Sequence, residues 1–384
     1  MPMLKRLTKI LFLFISILIV GTIIFIVGGY LLITHVGALS ASASLTDLPL
    51  NQWTRIDLSD KTQCSDGSDY RIYVHRAASD NLVVHFAGGG MTWDAKSASQ
   101  PITIGGSGGF YIPNIWEIVR ATLGGLFAQD NPKNPFADWN EVYIPYCTGD
   151  FHIGNTTITY PLDNGKSITI HHNGRQNVTE ALDWIYATFK TPPKVVVSGE
   201  SAGAFGSTFW VPIIAAQYSQ SETYNLSDGA FLTTPKWADI VNTVWKADSE
   251  KNLGFTPADN LINSAYLSQI QPSSPHVTYL QINTLYDGTL TYFASVLNDK
   301  PYDAAFAEKW SQDMRSSVKE VAQSGLHYNY YLTNYGFNAN STPHTSLSNG
   351  LFYEIQQDNV FLVDWVRRIV INGESVSIGS GFLP

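Results

Sequence analysis

Residues 194–203 read Lys-Val-Val-Val-Ser-Gly-Glu-Ser-Ala-Gly, and the fold turns on them. Lys194 to Ser198 is a short β-branched strand. Gly199-Glu200-Ser201-Ala202-Gly203 follows at once, and Ala202 to Tyr218 continues as a largely apolar helix. A G-x-S-x-G pattern alone is weak, but one set between an apolar strand and an apolar helix has the form of a nucleophile elbow. The turn is tight, so a Cβ at either glycine would collide with the neighbouring strand or helix. Such a turn lifts the Ser201 hydroxyl clear of the sheet. It also places the Ala202 N–H at a helix N-terminus, aimed at a developing oxyanion. An ordinary Gly-rich turn with a capping serine is the competing reading.

Around this turn the chain alternates strand-like and helix-like segments. Leu82 to Phe86, Glu141 to Tyr146, Val277 to Leu285 and Tyr328 to Leu332 read as strands. Val178, Ala181, Leu182, Ile185 and Phe189 repeat at three- and four-residue spacing, which predicts a helix ended by Pro192-Pro193. Asp303 to Gln323 and Asn359 to Ile371 are later helices. Strands separated by helices predict an α/β fold, a mainly parallel sheet with helices on both faces.

A second oxyanion donor is expected from a Gly-rich loop after an earlier strand. Gly88-Gly89-Gly90 follows Leu82–Phe86 directly, and Gly89 and Gly90 are the candidate donors. No Gly-Lys-[ST] follows, which excludes a phosphate-binding P-loop. Ser201 needs a histidine to take its proton. In a fold with this elbow the acid and then the histidine follow the serine, leaving His276, His327 and His344. His276 and His327 stand at strand starts, the wrong end of a parallel sheet for an active site. His344 lies in the loop Asn338 to Gly350 after a late strand, and is the expected base. The acid must lie between Ser201 and His344 at the end of a strand. Asp287 fits, after Val277–Leu285; Asp228, after Tyr224–Ser227, competes. Asp150 and His152 follow a strand and, with Trp93, are candidate pocket residues. A metal role there needs more converging ligands, and His171-His172 reads as a solvated loop pair. The ten tryptophans could include sugar-stacking platforms, but most suit core or rim.

Read together, these stretches resemble the pectin acetylesterase family. The matching segments are Val83 to Gly90, Pro145-Tyr146-Cys147-Thr148-Gly149-Asp150, Gly199 to Gly203, Asn283-Thr284-Leu285-Tyr286-Asp287 and Pro343-His344-Thr345. They span most of the chain from Cys64 to the last helix. The resemblance implies an α/β-hydrolase with Ser201, Asp287 and His344 as catalytic triad and Gly89, Gly90 and Ala202 as oxyanion hole. It favours Asp287 over Asp228. The plant members are cysteine-rich, whereas this chain has two cysteines, and its glycine loop continues Met91-Thr92-Trp93-Asp94 without the cysteine often found there. The chain therefore resembles a microbial, membrane-anchored branch. That departure bears on the substrate, not on the chemistry.

The N-terminus sets the expected compartment. Lys5, Arg6 and Lys9 precede an uncharged run of 25 residues, Ile10 to Thr34. At ~1.5 Å per residue this reaches roughly 37 Å, enough to cross a hydrocarbon core of about 30 Å. Basic residues on the N-terminal side alone keep that end in the cytoplasm. Residues 1–37 thus read as a basic tip and transmembrane signal-anchor, 38–44 as a linker and 45–384 as one hydrolase domain outside. A cleaved signal peptide is the alternative, since Ala41-Ser42-Ala43 suits a cleavage site, but the apolar run is too long for a signal core. Either route exports the domain, so Cys64 and Cys147 can pair as a disulfide.

The chain carries 384 residues with a net charge of −9, 44% hydrophobic and 13% aromatic. An acidic balance with no cluster of Lys and Arg beyond the first ten residues argues against nucleic acid as a partner. The expected partners are an ester substrate, small or polysaccharide, and the bilayer through the N-terminal helix. The expected reaction is hydrolysis of an oxygen ester, above all deacetylation of a carbohydrate, and it needs no cofactor. A lipid-ester hydrolase and a protein O-deacylase are the nearest alternatives. A catalytically silent, surface-tethered module that binds glycan or protein is the rival from another class.

Overall fold

The computed structural model describes Thr22 and residues 36–103, 108–162 and 165–384. The expected membrane helix, Ile10 to Thr34, falls outside these residues except for Thr22. Among the described residues no helix is long and apolar enough to cross a membrane. Eleven strands position the site: β1 (Gly37–Ser40), β2 (Trp53–Asp57), β3 (Arg71–His75), β4 (Leu82–Phe86), β5 (Asn140–Ile144), β6 (Thr156–Pro161), β7 (Ser167–His172), β8 (Lys194–Glu200), β9 (Glu222–Asp228), β10 (Val277–Thr284) and β11 (Tyr328–Thr333). Nine form one sheet in the order β1-β2-β3-β5-β4-β8-β9-β10-β11, while β6 and β7 make a separate hairpin.

From β5 to β11 every neighbouring pair is parallel. β2 and β3 add an antiparallel edge. That edge carries no long apolar run, which is why the sequence reading stopped short of it. The central strands are mainly apolar because both their faces are covered: every residue of β4 and β5 is buried, His85, Asn140 and Glu141 included. Five helices accompany the sheet: α1 (Gly174–Thr188), α2 (Ala202–Gln217), α3 (Gly288–Leu297), α4 (Ala304–Ala322) and α5 (Leu362–Val370). α1 begins four residues before the apolar repeat does, because the Asp150 carboxylate accepts the Gly174 N–H at 2.9 Å and starts the first turn from outside the helix. α4 starts where Asp303 accepts the Phe306 N–H at 2.8 Å.

β4 is followed in sequence by β5 on one side of it and is flanked by β8 on the other. This reversal of strand order opens a crevice at the C-terminal ends of β4 and β8, where ligands bind in such sheets. Phe86 and Gly199 are partners in register there, so the glycine loop and the serine turn leave the sheet side by side. Ala38–Ile115 and Gly124–Pro384 form the unit that holds this crevice, and the short helix Glu117–Ala121 belongs to another.

Candidate active site

Ser201 has φ 54° and ψ −124°, a conformation that a residue with a Cβ seldom adopts. Holding it costs on the order of 1–3 kcal/mol, which the surroundings must supply. They do so through close packing. A Cβ on Gly199 would lie 2.0 Å from the Gly203 carbonyl oxygen, and one on Gly203 would lie 1.9 Å from that of Phe86. The Ser201 N–H donates to the Asp228 carbonyl at 2.8 Å, tying the turn to the end of β9.

The glycine loop reaches the same place. A Cβ on Gly88 would stand 3.0 Å from the Ser201 Cβ, so the two loops touch. Gly90 has φ 77°, and a Cβ on it would lie 2.0 Å from the Phe110 carbonyl oxygen, so no side chain fits there. Among the described residues the amides of Gly89, Gly90 and Ala202 have no acceptor. Three N–H groups left free beside a strained serine can receive an oxyanion.

His344 Nδ1 lies 2.6 Å from Asp287 Oδ2. His344 Nε2 is buried and has no hydrogen-bond partner among the described residues. Burial disfavours the charged ring, but the charge and hydrogen bond of Asp287, with the charges of Asp228 and Glu200, outweigh it and raise the imidazole above 6.5. Gly229 links the two halves of the site. It follows Asp228, which holds Ser201, and a Cβ on it would be 3.4 Å from His344 Cε1 and 3.6 Å from Asp287 Oδ2. Ser201 and the Asp287–His344 pair therefore stand on one side of the molecule, around the same strand ends.

Asp228 does not bond the imidazole. Its Oδ2 accepts the Ser346 N–H at 2.6 Å, the Ser346 hydroxyl at 2.9 Å and the Leu347 N–H at 3.1 Å. Burial pushes its carboxyl up to about 6 against those bonds. Glu200 fills the variable position of the serine motif. Its Oε1 accepts the Ser348 hydroxyl at 2.6 Å, and burial pushes its carboxyl up to about 7. No spacing rule links Glu200 to Ser348, and only the serine-rich run 346–348 hinted at acceptors nearby.

Asp150 and His152 sit behind the loops. The Asp150 carboxylate, wholly buried, accepts from Thr148 Oγ1 at 2.6 Å, the His152 N–H at 3.1 Å and Gly174. Burial lifts it to about 6. His152 Nε2 lies 3.0 Å from the Ala87 carbonyl, and its ring packs on Phe86 and Tyr146. Both brace the base of the glycine loop. Trp93 packs edge-on to Phe110 and lines a small cavity of about 40 Å³ with Lys96 and Lys236. His276 and His327 face each other, ring centres 4.6 Å apart, at the opposite ends of β10 and β11 from Asp287. His171 and His172 are not a loop pair; they end β7, and His172 is fully buried with Nδ1 3.0 Å from the Thr148 carbonyl. Alternation along the hairpin puts one of the two inside, which a two-residue motif could not show. Among the described residues no three His, Cys, Asp or Glu side chains converge to hold a metal ion. Cys64 and Cys147 form a disulfide with Cα atoms 5.0 Å apart.

The sequence profile of the family described as Pectinacetylesterase matches residues 51–287. The chain belongs to the pectinacetylesterase family. This pectinacetylesterase-family chain is a carboxylic ester hydrolase. Its fold is similar to that of the Wnt deacylase Notum from Drosophila in two crystal forms, with TM-scores of 0.59 and 0.57. Each comparison shows 16% identity and covers 84% of this chain and 94% of the other, a likeness of fold alone. No curated protein sequence matches the chain.

Proposed function

We propose that this member of the pectinacetylesterase family is a serine esterase that removes acetyl groups from a polysaccharide or related carbohydrate through a Ser201–His344–Asp287 triad. The observation that carries the reading is the strained Ser201 turn beside the part-buried Asp287–His344 pair. Ser201 Oγ attacks the ester carbonyl while His344 Nε2 takes its proton. The carbonyl oxygen becomes an oxyanion held by the amides of Gly89, Gly90 and Ala202. The tetrahedral intermediate collapses, the C–O bond breaks, and the alcohol leaves with the proton from His344. Water then attacks the acyl-enzyme, giving its proton to His344, and acetate departs as Ser201 is reprotonated. Asp287 holds the ring in one tautomer and stabilises the imidazolium.

Notum is named as a Wnt deacylase, which favours a protein O-deacylase as the second reading. The apolar run from Ile10 to Thr34 supports a single-pass anchor that holds the domain outside the cytoplasm, and a disulfide suits that compartment. The test takes the exported domain and an activated acetyl ester. S201A is expected to lose turnover by about 10³-fold or more, whereas equal rates for both proteins reject the triad. Acetylated polysaccharides set against acyl esters of increasing chain length then separate the two substrate readings.

A further inference from the structure

Glu200 and Asp228 are partners in register at the ends of β8 and β9, and both reach into the loop that carries His344. Asp228 spends one oxygen on three donors from Ser346 and Leu347. Glu200 spends Oε1 on Ser348, while its Oε2 is buried with no partner among the described residues. A charged carboxylate oxygen without a donor is costly to bury, and a glutamine would accept from Ser348 as well without burying a charge. The latch alone therefore does not account for an acid at this position. The groups facing Glu200 are Ser348, Asp228, His344 and the Tyr143 phenol on β5. Those facing His344 are Asp287, Asp228 and Glu200.

We infer that Glu200 is a positioning residue for the base: it latches the His344 loop through Ser348, and its negative charge supports the His344 imidazolium together with Asp287. The inference rests on the triad reading and deepens it. Because burial pushes the Glu200 carboxyl up to about 7, this support sets in across neutral pH. Ser348, with the charge of His344, holds that carboxyl down against burial, so the latch and the charge work together.

The experiment follows the His344 ring signal by NMR against pH in the exported domain, assigned with H344Q, and measures kcat/KM over the same range. E200Q keeps an acceptor for Ser348 and removes the charge. Its His344 titration is expected to fall by about one pH unit, and the acid limb of kcat/KM to move with it. S348A removes the latch, lets Glu200 stay protonated to higher pH, and is expected to lower the His344 titration in the same direction by a smaller amount. An unmoved His344 titration in whichever of the two variants folds overturns the inference. S201A is assayed alongside. If S201A stays active the esterase reading fails whatever the titration does; if it is dead and the titration is unmoved, only the role of Glu200 fails.

Discussion

His344 Nδ1 and Asp287 Oδ2 meet at 2.6 Å across 57 positions of sequence. The other Asp287 oxygen, Oδ1, accepts the Leu290 N–H at 2.9 Å and caps α3. One oxygen is thus fixed by a helix and the other is presented to the imidazole, so the carboxylate cannot turn away from His344 without uncapping the helix. A fixed carboxylate fixes the orientation of the imidazole.

The two candidate acids separate by mutation. D287N leaves the helix capped but favours the wrong tautomer of His344, and kcat is expected to drop by about 10⁴-fold. D228N leaves the Asp287–His344 bond in place and only loosens residues 346 and 347, so its loss is expected to stay below about 10²-fold. Steady-state rates on an activated ester decide it; equal losses would mean that Asp228 is part of the relay.

The His344 imidazole is raised above 6.5, chiefly by Asp287 working against burial. A protonated ring cannot take the proton of Ser201. Activity is therefore expected to fall as pH drops through a value above 6.5, and to persist to lower pH in D287N. A kcat/KM profile of the folded domain measures both limbs, and an acid limb below 6 would contradict the arrangement.

Glu200 carries a stability cost of known sign. Its carboxyl titrates at about 7 in the folded chain against an ordinary 4.5, so folding favours the protonated form. Its contribution is most favourable below 4.5 and is lost as pH rises towards 7. E200Q, which bears no charge, is expected to melt higher than the parent above pH 7 and to match it below pH 4.5, with a gain bounded at about 3 kcal/mol. Thermal melts at pH 4.5 and pH 8 compare the two.

The Cys64–Cys147 bond closes a loop of 83 residues and ties the start of the domain to the segment after β5. That segment supports the glycine loop, since the Thr92 N–H donates to the Gly149 carbonyl at 2.9 Å. Replacing both cysteines by serine is expected to lower stability by about 2–5 kcal/mol. Denaturant melts with and without reductant read this directly.

The tight G-x-S-x-G turn after a strand and the glycine loop after an earlier one were legible in the chain because each is local. Gly199 and Gly203 are dictated by contacts within one turn and with the next strand. β4, β8 and β10 show as apolar runs because central strands of a parallel sheet have no polar face. The antiparallel edge β2–β3 escaped because β2 alternates between buried and half-buried positions and the apolar stretch of β3 is only Ile72 to Val74. His172 escaped because which of two adjacent histidines points inward depends on the hairpin's packing. The choice between Asp287 and Asp228 needed more. Both end strands and both precede glycine, so local sequence treats them alike.

The sequence by itself determined the kind of chemistry, since a strained serine turn needs its glycines wherever it is folded. The family resemblance already favoured Asp287 for the imidazole; tertiary structure alone put Asp228 and Glu200 on the loop behind it and Asp150 on a helix start. The reason is distance. A side chain's partner across a sheet is set by strand order and register, and these depend on the whole chain rather than on the residues beside it.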